Sequence, residues 1–63
     1  MTELAQILLA SLKLVGPCTF GALYGHMGKY FEAPVAESRQ AVLELWDLGR
    51  ISVGSDFLVR PVE

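Results

Sequence analysis

Cysteine and histidine are scarce in this 63-residue chain, which contains one of each, Cys18 and His26. A single cysteine excludes an internal disulfide framework and any zinc site built from several cysteines, and it is typical of a reducing compartment. If both residues lie in one helix, they are about two turns apart, so His26 is poorly placed to activate the thiol. We therefore expect Cys18 to be a small buried residue and His26 a surface or cap residue.

Long apolar runs and an excess of basic charge are also lacking. The longest apolar stretch, residues 4–15, is preceded by Glu3 and interrupted by Gln6, Ser11 and Lys13, so it suits neither a secretory signal nor a membrane span. The five Lys and Arg residues are outnumbered by seven Asp and Glu residues, which gives a net charge of −2. We expect a soluble, cytoplasmic protein.

Motifs for catalysis are missing as well. The sequence contains no phosphate-cradling glycine loop, no evident pair of catalytic carboxylates and no nucleophile with a base beside it. We therefore expect no enzymatic activity, no small-molecule substrate, and neither cofactor nor metal.

What the chain does contain is apolar residues, at 52% of the total. A domain of this length buries only about 60% of its unfolded surface, so its stability is limited. The apolar content nevertheless allows a core without metal or disulfide. We predict one domain over residues 1–63 that folds alone or as a dimer.

Helical periodicity marks three segments, which we predict as helices over about 3–15, 19–28 and 34–48. Thr2 and Thr19 are suitable N-caps for the first two, because a threonine hydroxyl accepts a backbone N–H that would otherwise be unpaired. Gly16, Gly28 and Gly49 are placed to end the three helices.

Two features refine this pattern. Pro34 suits the first turn of the third helix, where its missing N–H costs nothing. The segment 28–32 is ambiguous, because Tyr30 and Phe31 either extend the second helix or anchor a loop.

The periodicity changes after the third helix and predicts a β-hairpin over about 50–60. Ile51 and Val53 alternate with polar residues, Gly54-Ser55-Asp56 is typical of a turn, and residues 57–59 favour strand. The predicted fold class is therefore mostly α with a small β-hairpin.

The spacing Val42-x-x-Leu45-x-x-x-Gly49-x-Ile51 resembles the end of the recognition helix and the first wing strand of winged helix-turn-helix domains. Thr19-Phe20-Gly21-Ala22-Leu23 is similar to the start of that family's second helix. Val42 and Leu45 are expected to face the core, and Ile51 to start a strand packed beneath them. A three-helix bundle with a frayed tail is the alternative fold.

The resemblance implies that the exposed side of the third helix reads the DNA major groove, in a small regulatory protein. By position it places Ala36, Glu37, Arg39 and Gln40 near the bases. Arg39 is suited to guanine and Gln40 to adenine, although these side chains are equally typical of a solvated helix face. Further contacts to DNA are expected from Lys29, Arg50 and Arg60. The acidic balance and the acidic wing turn weaken this hypothesis, because Lys and Arg supply most of the affinity for duplex DNA.

The alternative is a winged-helix-like module that binds and modulates a protein partner. Several apolar residues exceed what one small core needs, and an exposed apolar patch normally marks an interface. Gly21, Gly25 and Gly28 are expected either to form a bare stripe on the second helix that lets another backbone approach, or to leave that helix short and broken. Small acidic domains of this type are similar to accessory proteins of phages and mobile elements. The residues expected to contact the partner are Leu9, Gly21, Gly25, Leu43 and Trp46; Trp46 is equally compatible with a core position.

The first helix also suggests a homodimer. Leu4, Ile7, Leu8, Leu12 and Val15 make one apolar face, which further apolar residues, Ala5 and Leu9 among them, widen. A stripe that wide is compatible with a symmetric interface.

Overall fold

The computed structural model describes residues 1–62, and its first two helices begin at the threonine caps. The Thr2 hydroxyl accepts the Ala5 N–H at 3.2 Å, and helix α1 spans Glu3–Val15. The Thr19 hydroxyl accepts the Ala22 N–H, also at 3.2 Å, and helix α2 spans Phe20–Phe31. Each cap satisfies one of the backbone donors that a helix N-terminus leaves unpaired.

Helix α2 does not end at Gly28, and this part of the sequence prediction is wrong. Gly28 stays helical, and the left-handed residue at the end is Glu32, with φ 54°. The Ala33 N–H then reaches back to the Met27 carbonyl at 3.2 Å. Pro34 explains the position of the end, because a proline disfavours helical geometry at the residue before it. The ambiguous Tyr30 and Phe31 therefore extend the helix.

Helix α3 spans Val35–Asp47, so Pro34 is the residue before the helix rather than part of its first turn. At the other end, Gly49 has φ 69° and adopts the predicted left-handed conformation. The Arg50 N–H donates to the Leu45 carbonyl at 2.8 Å, which turns the chain towards the hairpin.

The hairpin pairs strand β1, Ile51–Val53, with strand β2, Val59–Pro61, in antiparallel register. Its turn is closed by the Phe57 N–H, which donates to the Gly54 carbonyl at 3.0 Å. A third segment joins the sheet, because Cys18 and Val59 exchange both backbone hydrogen bonds, at 3.3 and 2.7 Å. The loop between α1 and α2 is thereby fixed to β2.

The core lies between α1, α2, α3 and the hairpin, and the residues expected there are confirmed. Val42, Leu45 and Ile51 are buried, as are the α1 residues Leu8 and Leu12. The order of three helices and a hairpin confirms the fold class, and it is compatible with a winged-helix shape. No helix within residues 1–62 combines the length and the apolar character needed to cross a membrane.

The same core takes up the wide apolar stripe of α1. Ala5 and Leu9 are buried against the other elements, while Leu14 and Val15 at the end of α1 are exposed. The stripe therefore leaves no broad apolar face for a dimer. Leu9, expected to contact a partner protein, is 8% exposed and belongs to the core, so that expectation is corrected.

Candidate interaction surface on the third helix

Helix α3 buries one side and leaves the other free. Ser38, Ala41, Val42 and Leu45 are buried, which is the spacing of one helical face. At about 100° per residue, Ala36, Gln40, Leu43 and Asp47 lie along the middle of the opposite side. Arg39 and Trp46 lie on one flank of that side, and Glu37 and Glu44 on the other.

Large apolar side chains are exposed on this free side and just beyond it. Leu43 is 62% exposed, and Trp46 and Leu48 are each 52% exposed. Trp46 is therefore a surface residue and not a core residue. Leu43 and Trp46, three positions apart, are neighbours on the helix surface and form a pair of adjacent exposed apolar side chains.

Carboxylates lie along the middle of the free side and on the flank opposite Trp46. Glu37 and Asp47 are exposed, and the half-buried Glu44 accepts the Thr2 backbone N–H at 2.7 Å. Arg39 is the one cation in the helix. Among residues 1–62 the sole ion pair is Asp56 with Arg60, so the carboxylates of α3 have no internal cation within salt-bridge distance.

The free side of α3 is concave at two adjoining places. A shallow depression of about 520 Å³ is lined by Gln40, Leu43, Glu44, Trp46 and Asp47, which we call the α3 patch. A second depression of about 340 Å³ lies between α3 and the start of α1, where Thr2 and Leu4 contribute to its lining. The two depressions adjoin, because Gln40 and Glu44 line both.

The residues expected to contact DNA are only partly brought together. Ala36, Glu37, Arg39 and Gln40 are all exposed on α3, where direct contact is possible. Arg50 follows the helix and is exposed, whereas Lys29 lies on α2 with its Nζ 5.4 Å from the centre of the Tyr30 ring.

Arg60 is engaged within the hairpin. Its guanidinium donates two hydrogen bonds to the Asp56 carboxylate, at 3.2 and 2.5 Å. This hydrogen-bonded ion pair raises the pKa of Arg60; with the Leu58 backbone N–H, it lowers the pKa of Asp56 to about 2. The pair neutralises the cation in strand β2 of the hairpin, so Arg60 offers little charge to a phosphate.

Gly21 and Gly25 lie on an exposed side of α2, as the bare stripe requires. A Cβ added at either glycine would meet no atom within 4 Å. The structure thus leaves the surface above them open, although the area without side chains is narrow.

Two exposed aromatic features were missed by sequence reasoning. The His26 ring lies 4.8 Å from the Tyr30 ring and 6.0 Å from the Phe31 ring, measured between centroids. The i,i+4 spacing of His26 and Tyr30 was a usable signal once the helix was known to continue. Phe57, at the tip of the hairpin, has φ 62° and is 78% exposed, which no local pattern indicated.

Within residues 1–62, no hydrogen bond joins the side chains of Cys18 and His26. Cys18 is partly rather than fully buried, and that burial raises the pKa of its thiol, the opposite of what an activated nucleophile needs. Within residues 1–62, no group of three or more His, Cys, Asp or Glu side chains is arranged to hold a metal ion.

Comparison of the chain with protein-family models, with curated proteins and with solved structures gave no significant match.

Proposed function

We propose that this chain is a small winged-helix-like domain that binds a partner protein through the α3 patch. One observation carries the proposal: Leu43 and Trp46 are both exposed and line a shallow depression on α3. Aromatic and large aliphatic residues in such a depression are typical anchors of protein interfaces. Their exposure in the free domain is accounted for if a partner covers them.

The charge of α3 supports a protein partner over duplex DNA. Glu37, Glu44 and Asp47 lie on the side that would face the phosphates, with only Arg39 in the same helix to attract them. Arg60 is already paired within the hairpin. Because affinity for DNA depends largely on cations that neutralise phosphates, this surface is poorly suited to bind it.

Duplex DNA remains the second candidate function. It is favoured by the exposure of Ala36, Arg39 and Gln40 on the free side of α3, the positions that the winged-helix resemblance assigns to base reading. A regulatory protein of this kind would read the major groove with Arg39 and Gln40.

Two matched variants test the protein partner. Leu43→Ser changes the α3 patch, and Leu14→Ser changes another exposed leucine, at the end of α1. After chemical cross-linking in extracts of the source cells, we expect a discrete partner on the wild type and on Leu14→Ser, and its loss with Leu43→Ser. Equal capture by both variants would contradict the proposal.

A DNA titration separates the second candidate. We expect fluorescence anisotropy to show no binding of mixed-sequence duplex at about 10 mM salt, where surface charges are least screened. Micromolar binding that weakens steeply with salt and is reduced by Arg39→Ala would establish DNA as the target instead.

A further inference from the structure

We infer that the partner presents a basic amphipathic helix to the α3 patch, with apolar residues on one side and Lys or Arg on the other. This inference rests on the proposed function and adds the chemistry of the partner. The contact it describes has Leu43 and Trp46 in the apolar seam, and Glu37, Glu44 and Asp47 as the acidic border.

The shape of the surface suits a helix. The free side of α3 carries two adjoining shallow depressions, the second of which reaches the start of α1, and α3 itself spans thirteen residues, about 20 Å. A helix docks on such a surface through side chains spaced three and four residues apart. Leu43 and Trp46 have this spacing on the domain's side of the contact.

Charge complementarity selects a basic helix over a neutral or an acidic one. Glu37 and Asp47 are exposed, and no cation among residues 1–62 pairs with either. The carboxylate of Glu44 contacts the Thr2 N–H and keeps further acceptor capacity. An approaching acidic segment would meet three carboxylates, whereas a basic one gains charge-assisted hydrogen bonds.

Trp46 adds a second reason for cationic residues. Its ring lies on the flank of the free side, half-exposed. An Arg or Lys over a tryptophan face is stabilised by the ring's negative potential, an interaction that a carboxylate lacks. Because Trp46 is the one tryptophan in the chain, its fluorescence reports directly on occupation of the α3 patch.

Three synthetic peptides of about 18 residues test the inference, a length that spans α3. All have leucine along one helical face, and the other face carries lysine, glutamine or glutamate. Titration into the intact domain is followed by Trp46 fluorescence. We expect the lysine peptide to bind with a blue shift of the emission, and the glutamate peptide not to bind.

Matched variants show whether binding uses the α3 patch. Glu37→Gln with Asp47→Asn removes two charges from the border, and Glu3→Gln with Glu32→Gln removes two exposed charges elsewhere. We expect the first pair to weaken the lysine peptide about tenfold and the second pair about twofold or less. Leu43→Ser is expected to abolish the fluorescence change.

Each other outcome overturns the inference. If the glutamine or glutamate peptide bound as tightly as the lysine peptide, charge would have no role in recognition. The proposed function would still stand, because it rests on the cross-linked partner. Binding that survives Leu43→Ser, or no binding of any peptide, would also exclude this partner chemistry. A concentration-dependent dimer in light scattering that Leu43→Ser dissociates would show that a second copy covers the α3 patch.

Discussion

Phe57 occupies a backbone conformation, φ 62°, that glycine adopts without strain and that a residue with a Cβ adopts at a cost. Its ring is almost fully exposed at the tip of the hairpin and so contributes little burial in return. The hairpin turn thus carries a small destabilisation at one residue.

Phe57→Gly is therefore expected to stabilise the domain. The substitution relieves the strained φ, but glycine also gives the unfolded chain more conformational freedom. The net increase in the free energy of unfolding is about 0.5 kcal/mol, or about 3 °C in Tm. Thermal unfolding followed by circular dichroism measures the change. Phe57→Ala, which keeps a Cβ, should lack this gain; a Tm equal to that of Phe57→Gly would show that φ strain is not the cause.

Asp56 makes the hairpin sensitive to acid. Its pKa is about 2 in the folded state, below the ordinary 3.8. A carboxylate whose pKa is lowered by folding stabilises the fold above its unfolded pKa, and this contribution is lost as the pH falls from about 4 through 2.

We expect Asp56→Asn to remove that part of the acid dependence. Chemical denaturation of the wild type and the variant at several pH values between 7 and 2 gives the comparison, with Ser55→Ala as a control that changes the same turn without changing charge. The two stability curves should converge towards pH 2. A constant difference between them across this range would mean that the Arg60 contact does not depend on ionised Asp56.

Helix α2 is the element with the weakest intrinsic preference for its own structure, because Gly21, Gly25 and Gly28 all lie inside it. Glycine in a helix interior costs about 1 kcal/mol relative to alanine. At Gly25 an added methyl group would contact nothing within 4 Å.

Gly25→Ala should thus stabilise the domain by about 1 kcal/mol. Urea denaturation measures this gain, and Gly49→Ala is the opposite control, because its φ of 69° makes a Cβ unfavourable there. Gly25→Ala also tests whether the glycine stripe is a binding surface. We expect this variant to be cross-linked to the partner as the wild type is. Loss of the partner with Gly25→Ala would move the interface from α3 to α2.

The elements show which parts of the fold were readable from the sequence. Thr2 and Thr19 predicted two helix starts, since a cap is a local interaction between residues three positions apart. The end of α2 was placed at Gly28, with an extension through Tyr30 and Phe31 left open, because glycine favours the left-handed position; Pro34 decides where the helix stops. The bridge between Cys18 and Val59 joins residues distant in sequence and leaves no local pattern.

The site was readable only in outline. Periodicity predicts that Arg39, Gln40 and Leu43 share the free side of α3, and they do. It does not tell which apolar residues the core takes up: Leu9 is buried, whereas Trp46 is exposed. That choice depends on how α1, α3 and the hairpin pack, which the pattern of a single helix does not contain.

At the scale of the whole molecule, one core cavity removes a large fraction of the total stability. A chain of this length has a total of about 3–9 kcal/mol, whereas removing a buried leucine side chain costs about 2–5 kcal/mol. Leu45 is fully buried, and Leu43, two residues away, is exposed.

We expect Leu45→Ala to lower the Tm by about 10 °C or more and Leu43→Ala to unfold within a few degrees of the wild type. Differential scanning calorimetry of the three proteins provides the comparison. Similar Tm values for the two variants would contradict the assignment of Leu45 to the core and Leu43 to the surface.

Strand β2, which is made late in translation, packs against segments that are made early. Val59 is fully buried and bridges to Cys18, and β2 also packs on α1. Between Val15 and Val59 a ribosome working at 5–20 residues per second takes about 2–9 s. For that interval β2 is not yet available to cover the apolar side of α1, so the core is completed only after residue 59 has been added.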